Sequence, residues 1–565
     1  MRAKQDGTRS LVVAEHPLAA QAGLDVLRRG GNAIDAAVTA AFVMGVVEPW
    51  GSGLGGGGLA IIYRARDRRQ VVVDFAMDAP LSAHPTMFPL GQGVGPSRFG
   101  WRKVEDDANQ HGYRAAAVPG QVAGLTAMLQ GFGTIPLDVA VTPAMKLAQD
   151  GFDVSSQTAL RSLNALEMIR RFPATSSVFL ANGLPLKPGD GFTKPDRLLQ
   201  PDLARTLKRV ATDGPDGFYR GPVAAAISAE MEAQGGLICE DDLRQYTAGI
   251  HDDVQVTTYR GYVVSGVPGA CGCITVQQSL NILEPHDISK SGLDESAVVH
   301  IQAEAYRMAF ADRYAFVADP LRSEVPVKGL LSKEYGKSLS EMIEPERAMN
   351  SALPGKPWEF DGGKGGSTAT PTVGSQAPGE RSTTHLCAAD EEGNVVTLTQ
   401  TLANSFGCGV TIPGTGVVLN NAMLWFDPEP GRPNSVGPGK RGLNNMAPLL
   451  VLKDDRPVLA LGGAGGVRIL NCVSQVAINM LDHDMELQDA IDAPRIDCSG
   501  SDVLIDSRHS TSVMRDLESW GHQLSVVEDS PIVSNFARPF AISITGDGYM
   551  RGGGDRAGWW AACGD

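Results

Sequence analysis

The chain changes character abruptly near residue 382. Residues 354–381 are rich in Gly, Pro, Ser and Thr and contain almost no aliphatic side chains, which predicts a mobile, exposed loop. Two runs with strand-like alternation, Thr383–Ala389 and Asn394–Leu402, follow at once. Because long connectors without secondary structure are uncommon inside compact domains, the junction is predicted to be a functional joint, either a domain linker or a processing site.

The two runs flank a turn-forming sequence, Asp390–Asn394, and therefore predict a β-hairpin. Thr383 and Thr401 are equidistant from Glu392, so a turn centred there places them opposite each other with Cβ atoms about 5 Å apart. Threonine pairs are common in ordinary sheets, and a purely structural role would explain them equally well. The position of Thr383 at the end of the loop favours a functional role.

A cut between Ser382 and Thr383 would change the chemistry of Thr383. Its hydroxyl would gain a neighbouring free α-amine with a pKa of about 8, which suits a general base at neutral pH. An internal threonine has no such base. A single residue would then supply nucleophile and base, which is the logic of N-terminal nucleophile hydrolases.

The rest of the chain predicts a mixture of helices and strands. Helices are expected over 17–27 and 32–47, the second buried because it is apolar on all sides. A hairpin is expected from 59–63 and 71–75. Helical patterns dominate 120–234 and return over 280–313, with strand character over 254–267.

Several common enzyme classes lose support from the motifs. Gly51–Gly56 formally matches GxGxxG with Asp74 about twenty residues on, but a helix precedes it and strands follow, which is the reverse of a dinucleotide site. A nucleotide-dependent enzyme using Gly51–Gly58 is therefore a distant alternative. GxSxG, HExxH and Walker A sequences are absent from the chain.

The net charge and the cysteine content limit which binding partners the sequence favours. With 49 Lys and Arg against 64 Asp and Glu, the net charge of −15 disfavours nucleic acid and anionic membranes. The eight scattered cysteines, including the Cys271/Cys273 pair, indicate buried thiols and no metal site. The start of the chain lacks the apolar segment of a secretory signal, so a cytoplasmic location is expected; a periplasmic or secreted one is the alternative if the start was trimmed.

Several further motifs are distinctive when taken together. The most specific are Thr383-Thr-His385, Gly416–Asn421, Gly437–Arg441 with Met446–Pro448, and Gly462–Ile469, and others lie in 12–17, 30–37 and 53–58. With these motifs the sequence resembles the γ-glutamyltransferase (γ-glutamyltranspeptidase) family over nearly its whole length. The resemblance implies an α+β fold, the four-layer αββα sandwich of the N-terminal nucleophile hydrolases. It also implies self-cleavage into a large subunit, 1–382, ending in a flexible pre-cleavage loop over 354–382, and an associated small subunit, 383–565.

The resemblance also implies roles for four residues. Thr383 corresponds to the nucleophile and new N-terminus, and Thr401 to the second threonine that holds its hydroxyl. Gly465 and Gly466 match the glycine pair whose backbone N–H groups form the oxyanion hole; a plain glycine loop is the alternative. Amides without side chains can approach a developing oxyanion closely.

Other positions depart from the family pattern. Ala76 stands where an arginine clamps the glutamyl α-carboxylate, and Asn444-Asn445 replace a serine pair that also binds it. Trp425 replaces the acidic partner of the α-amine, with Ala422 at a nearby polar position. Ala403 replaces an asparagine, although the adjacent Asn404 could substitute. Buried charges without partners are costly, so ordinary γ-glutamyl substrates are expected to be poor.

The sequence thus predicts a self-cleaving threonine amidohydrolase or acylase acting on a small-molecule amide, similar to cephalosporin acylases and oxamate amidohydrolase. No cofactor or metal is expected. Because 433–438 runs directly into the Lys440-Arg441 motif without a lid loop, an open site with water as the main acyl acceptor is expected. The alternatives are a true γ-glutamyltransferase or glutathione hydrolase, and a processing-defective relative that only binds ligands.

Overall fold

The computed structural model describes residues 6–95, 99–289, 294–362, 382–530 and 532–565. Most of the predicted pre-cleavage loop, 363–381, lies outside these ranges. Of the first nine residues, 354–362, Lys356, Glu359 and Gly362 are exposed as predicted, whereas the middle of the segment packs against the protein. Pro357–Phe360 form a 3-10 turn with Pro357 buried, and Gly355 N donates to Asp312 Oδ1 at 2.8 Å, which holds the segment against the body of the protein.

Two seven-stranded sheets dominate the described ranges, with strand orders β1-β24-β23-β19-β18-β13-β12 and β11-β4-β3-β15-β14-β2-β25. The strands, numbered along the chain, are β1 Asp6–Thr8, β2 Leu11–Ala14, β3 Gly57–Arg64, β4 Arg69–Phe75, β5 Leu90–Val94, β6 Arg102–Val104, β7 Phe152–Asp153, β8 Leu180–Ala181, β9 Leu184–Pro185, β10 Arg197–Leu198, β11 Gly249–His251, β12 Gln255–Tyr259, β13 Tyr262–Gly266, β14 Thr384–Ala389, β15 Val395–Thr401, β16 Thr411–Ile412, β17 Val417–Val418, β18 Leu449–Lys453, β19 Arg456–Ala464, β20 Ile496–Asp497, β21 Val503–Asp506, β22 Leu524–Val527, β23 Arg538–Ile544, β24 Met550–Gly554 and β25 Ala561–Gly564.

Helices cover the outer faces of both sheets. They are α1 Pro17–Arg28, α2 Ala33–Val47, α3 Gln121–Phe132, α4 Leu137–Asp150, α5 Ser156–Asn164, α6 Leu166–Arg171, α7 Pro173–Phe179, α8 Pro201–Asp213, α9 Asp216–Tyr219, α10 Gly221–Gln234, α11 Glu240–Gln245, α12 Cys273–Leu283, α13 Glu295–Phe316, α14 Val327–Leu331, α15 Lys333–Ser340, α16 Ile469–Leu481, α17 Leu487–Asp492 and α18 Thr511–Ser519. The expected helix over 280–313 is two helices, because α12 ends at Leu283 and α13 begins at Glu295.

The burial of alternate residues shows how the layers stack. In β14, Cys387 and Ala389 pack into the layer between the two sheets, whereas Leu386 and Ala388 pack under α1 and α2. β14 and β15 are covered on both faces, since every residue of the two strands is buried, and their buried polar side chains such as His385 and Gln400 are hydrogen-bonded. The helix–sheet–sheet–helix order is the αββα sandwich, which confirms the expected fold class.

The predicted helix at 32–47 forms as α2, with fourteen of its fifteen residues buried. Its first turn is closed by a capping box: Asn32 Oδ1 accepts from Asp35 N, and Asp35 Oδ2 accepts from Asn32 N. The hairpin of β3 and β4 also forms as predicted. The glycine-rich segment between α2 and β3 therefore runs from a helix into a strand, which confirms that it is not a dinucleotide fingerprint.

All eight cysteines lie in the described ranges and are free thiols. In the same ranges, no helix combines the length and the hydropathy needed to cross a bilayer.

Candidate active site

The central strands of both sheets end at one place. Thr383 lies just before β14, Thr401 closes β15, and Gly465 follows the last residue of β19. In the hairpin, Thr384 pairs with Gln400 and Ala389 with Val395, the register centred on Glu392 that the sequence predicts. The Oγ1 atoms of Thr383 and Thr401 are 3.0 Å apart, so their predicted adjacency is confirmed.

The Thr401 hydroxyl is held by a second contact. The backbone N of Ala403 donates to Thr401 Oγ1 at 2.9 Å. The Thr401 oxygen thus accepts a backbone N–H and also shares a hydrogen bond with Thr383 Oγ1, in which either hydroxyl can be the donor. This arrangement orients the Thr383 hydroxyl, and it requires Ala403 to adopt an unusual positive φ of 74°.

The bond before Thr383 is strained and enclosed. Thr383 has a φ of 103°, which is a genuine outlier for a β-branched residue. Ser382 Oγ donates to the carbonyls of Trp50 at 2.8 Å and Gly51 at 3.1 Å, and Thr383 is only 7% exposed. In the uncut chain Ser382 and the loop after α2 therefore cover the nucleophile candidate, and the openness of the processed site stays a prediction.

Gly465 and Gly466 have φ values of 140° and 66°, which non-glycine residues avoid. A Cβ on Gly465 would lie 2.7 Å from Ala537 Cα, so the approach also excludes a side chain. Gly465 lines the same small pocket as Thr383, and Gly466 begins the turn that leads into α16. The N–H groups of such a first turn have no intrahelical acceptor and favour a negative charge nearby.

The Ala76 position lies beside an arginine whose charge is already matched. Arg441 donates to Asp78 Oδ1 at 2.9 Å and to Asp74 Oδ2. Burial opposes the charge of Arg441, but Asp74 and Asp78 outweigh it and raise the pKa of the guanidinium. Arg441 can therefore bind a substrate carboxylate in place of the absent arginine at position 76 only by giving up its ion pairs with Asp74 and Asp78.

Trp425 and Ala422 belong to a short 3-10 helix, Ala422–Trp425, and both are buried. The Trp425 carbonyl accepts from Leu443 N at 3.0 Å and Asn434 Nδ2 at 2.8 Å. These bonds place an indole where the resemblance implies an acidic side chain.

Asn404 N donates to Asn421 Oδ1 at 2.9 Å, which ties the loop after β15 to the segment before the Ala422–Trp425 turn. Asn444 Nδ2 donates to Ala270 O at 2.9 Å, and its Oδ1 accepts from Met446 N. Asn445 Oδ1 accepts from Arg313 Nη2 at 2.9 Å. In the uncut chain the Asn444 and Asn445 side chains thus hold the backbone and Arg313, and their role in substrate binding stays a prediction.

The sequence analysis missed a group of buried charges beside the Ser382–Thr383 bond. The pocket on that bond is lined by Glu15, Trp50, Arg161, Ser382, Thr383, Ala464, Gly465, Ser534 and Arg538. Glu15 and Arg538 are 3% and 5% exposed, and Glu48 nearby is fully buried. The available signal was a charged residue inside an apolar run, since Glu15 follows Leu11–Ala14 and Glu48 ends α2.

His385 lies on the same face of β14 as Thr383 but is not a base. Its Nδ1 bonds to Thr399 Oγ1 at 2.8 Å, and its ring packs against Gly462 of the other sheet. Burial lowers the pKa of His385 to about 3, so the ring is neutral at physiological pH and poorly suited to accept a proton.

Comparison with known proteins agrees with this geometry. The gamma-glutamyltranspeptidase family model matches residues 19–562. The chain is 38% identical to the Acylase ACY 1 proenzyme of Pseudomonas sp. (strain SE83), over 99% of this chain and 93% of that protein. It is 36% identical to the Glutathione hydrolase proenzyme of Bacillus subtilis (strain 168), over 87% and 81%. The crystal structure of cephalosporin acylase from Bacillus halodurans superposes with a TM-score of 0.86 at 26% identity, covering 100% of this chain and 97% of that one.

The αββα sandwich, with a threonine where central strands of both sheets end, defines an enzyme of the N-terminal nucleophile hydrolase class, a hydrolase or acyltransferase. Within that class, the chain belongs to the gamma-glutamyltranspeptidase family.

Proposed function

We propose that the chain cuts itself between Ser382 and Thr383 and that Thr383 then hydrolyses a small amide through an acyl-enzyme. The observation that carries the proposal is the 3.0 Å contact between the Thr383 and Thr401 hydroxyls at a backbone-strained residue beside Gly465. The products are subunits 1–382 and 383–565, which stay together because β14 pairs with β2 from the other subunit.

The site can perform each chemical step. Thr383 Oγ1 attacks the amide carbon while the new α-amine takes its proton. The oxyanion forms beside the backbone N–H groups of Gly465 and Gly466, where each donor is worth about 3–4 kcal/mol. The leaving amine takes the proton from the α-amine, and water then attacks the ester.

The acyl group is proposed to lack the zwitterionic head of a γ-glutamyl group. Ala76 offers no cation, Arg441 is matched by Asp74 and Asp78, and Trp425 offers no carboxylate to an ammonium. The acylase relative supports this choice. A glutathione hydrolase is the second candidate, because a relative of that name is also more than one third identical.

A competition between anilides separates the two candidates. With processed protein, we expect kcat/KM for γ-glutamyl-p-nitroanilide to be at least about a hundredfold below that for glutaryl-p-nitroanilide, since two charge contacts are missing. Thr383→Ala is the control; it should stay a single chain of full mass without activity. Rapid γ-glutamyl turnover accelerated by glycylglycine would establish the second candidate and would exclude water as the main acceptor.

A further inference from the structure

The proposed self-cleavage leaves one chemical requirement open. Before the cut, the nitrogen of Thr383 belongs to an amide, which cannot accept a proton at neutral pH. His385 on the same strand is held neutral by burial and already bonded to Thr399. The first step therefore needs another group to take the proton of the Thr383 hydroxyl.

The pairing of β2 with β14 places a carboxylate beside that hydroxyl. Ala14 lies opposite Leu386, so continuing the register by one residue places Glu15 opposite His385. Thr383 is two residues from His385 on the same face, and such diagonal neighbours have Cβ atoms within about 8 Å of each other. The side chain of Glu15 spans part of this distance, which leaves space for a bridging water.

The pocket between these residues has the required size. Glu15 and Thr383 line the same cavity of about 10 Å³, which is room for about one water molecule. Ser382 and Gly465 line it too, so the cavity adjoins the carbonyl that would be attacked and an oxyanion donor. A water in it would have the polar neighbours that a buried water needs.

The Glu15 carboxylate has an oxygen available for that water. Its Oε2 is buried and has no hydrogen-bond partner among the described residues. Its Oε1 faces Arg538 Nη1 at 3.7 Å, which is longer than a hydrogen bond. A buried acceptor without a donor is unusual in a native structure, and this oxygen can accept a hydrogen bond from a water in the pocket.

We propose that Glu15 is the general base of self-cleavage, acting through one water molecule in this pocket. The inference rests on the proposed cut at Ser382–Thr383. It concerns the uncut chain only, because afterwards the α-amine of Thr383 supplies the base.

The step balances as follows. The water passes the Thr383 Oγ1 proton to Glu15 as Oγ1 bonds to the Ser382 carbonyl carbon. The tetrahedral intermediate collapses, the C–N bond breaks, and Glu15 returns the proton through the water to the departing nitrogen of Thr383. A second water hydrolyses the resulting ester, leaving the Ser382 carboxyl group and restoring the Thr383 hydroxyl.

The charges that face Glu15 come from four elements. They are Glu48 after α2, Arg161 in α5, Arg538 in β23 and Asp555 after β24. Burial raises the pKa of Glu15 to about 7, and Arg538 and Arg161 limit the rise. A carboxyl group with this pKa can both accept and return a proton near neutral pH.

The test is the rate of self-cleavage against pH. Newly synthesised chain from a cell-free translation is followed on a denaturing gel between pH 5 and 9. For the wild type, we expect the rate to rise about tenfold per pH unit up to pH 7 and then to level off. Glu15→Gln should cut at least about a hundredfold more slowly without that rise, and Glu15→Asp should restore part of the rate and the rise.

Glu48→Gln is the matched control, because it replaces the neighbouring buried carboxyl group with an amide of the same size. It should keep the pH-dependent rise, with a midpoint within about one pH unit of the wild type. If Glu15→Gln cut at the wild-type rate, or if the Glu15 and Glu48 variants lost cutting equally, Glu15 would not be the general base, although the proposed function would stand. A wild type that stays uncut at every pH would overturn the proposed function as well.

Discussion

At the scale of single residues, the contact between the Thr383 and Thr401 hydroxyls depends on a backbone hydrogen bond that fixes the position of Thr401 Oγ1. Ala403 N donates to Thr401 Oγ1, which holds this oxygen 3.0 Å from Thr383 Oγ1. We therefore expect the proposed chemistry to need the hydroxyl of Thr401 and not only its volume.

We expect Thr401→Val to lower kcat/KM of the processed protein about 10- to 100-fold, since one hydrogen bond to the nucleophile, worth about 1–3 kcal/mol, is lost. Anilide hydrolysis measures the effect. Thr401→Ser keeps the hydroxyl and should retain most of the activity. A processed valine variant with wild-type kcat/KM would show that the contact is not used.

At the scale of elements, the β14–β15 hairpin is fixed at its turn. Asp390 Oδ1 accepts from Glu392 N and Asn394 N, and Asp390 Oδ2 accepts from Ala33 N at the start of α2. One carboxylate thus sets the hairpin register and docks the hairpin on the helix beneath it.

Asp390→Ala should reduce the free energy of unfolding by at least about 2 kcal/mol, because hydrogen bonds to a charged acceptor are lost and Ala33 N is left buried. Denaturation of the uncut Thr383→Ala chain gives the measurement on one polypeptide. Asp67→Ala, in the exposed turn of the β3–β4 hairpin, is the control and should cost less than about 1 kcal/mol. Equal losses in the two variants would contradict the docking role of Asp390.

At the scale of the whole molecule, burial makes the free energy of unfolding depend on pH through titratable side chains both beside the candidate site and away from it. Burial lowers the pKa of His385 and His522 to about 3. Between pH 6.5 and 3 the unfolded chain binds these protons and the folded chain does not, so each histidine removes stability as pH falls. Glu15, with its raised pKa, acts in the opposite direction below pH 7.

The contribution of His385 is therefore measured as the difference in the pH dependence of the free energy of unfolding between the wild type and His385→Gln. From pH 6 to 4 the wild type should lose about 1.4 kcal/mol per pH unit more than His385→Gln does, because the variant has no histidine there to protonate on unfolding. Urea denaturation at each pH in the Thr383→Ala background measures it. His251→Gln, at an exposed position, should follow the wild type; a parallel loss in His385→Gln would disprove the assignment.

The sequence alone determined what is local. A period of two residues and a short turn fix which residues of a hairpin face each other, so Thr383 and Thr401 could be paired by counting. A run of residues that is apolar on all sides predicts the buried helix α2 in the same way. The family motifs added the fold and the oxyanion candidates.

Only the tertiary structure decided the rest, because it depends on packing between segments far apart in the chain. The stacking of the two sheets brings Gly465 beside Thr383, and the bond from Ser382 to the loop after α2 encloses Thr383 in the uncut chain. Long-range contacts also match Arg441 to Asp74 and Asp78. A long-range contact also places Arg538 beside Glu15. The burial of apolar faces brings such strands together whatever their separation in sequence.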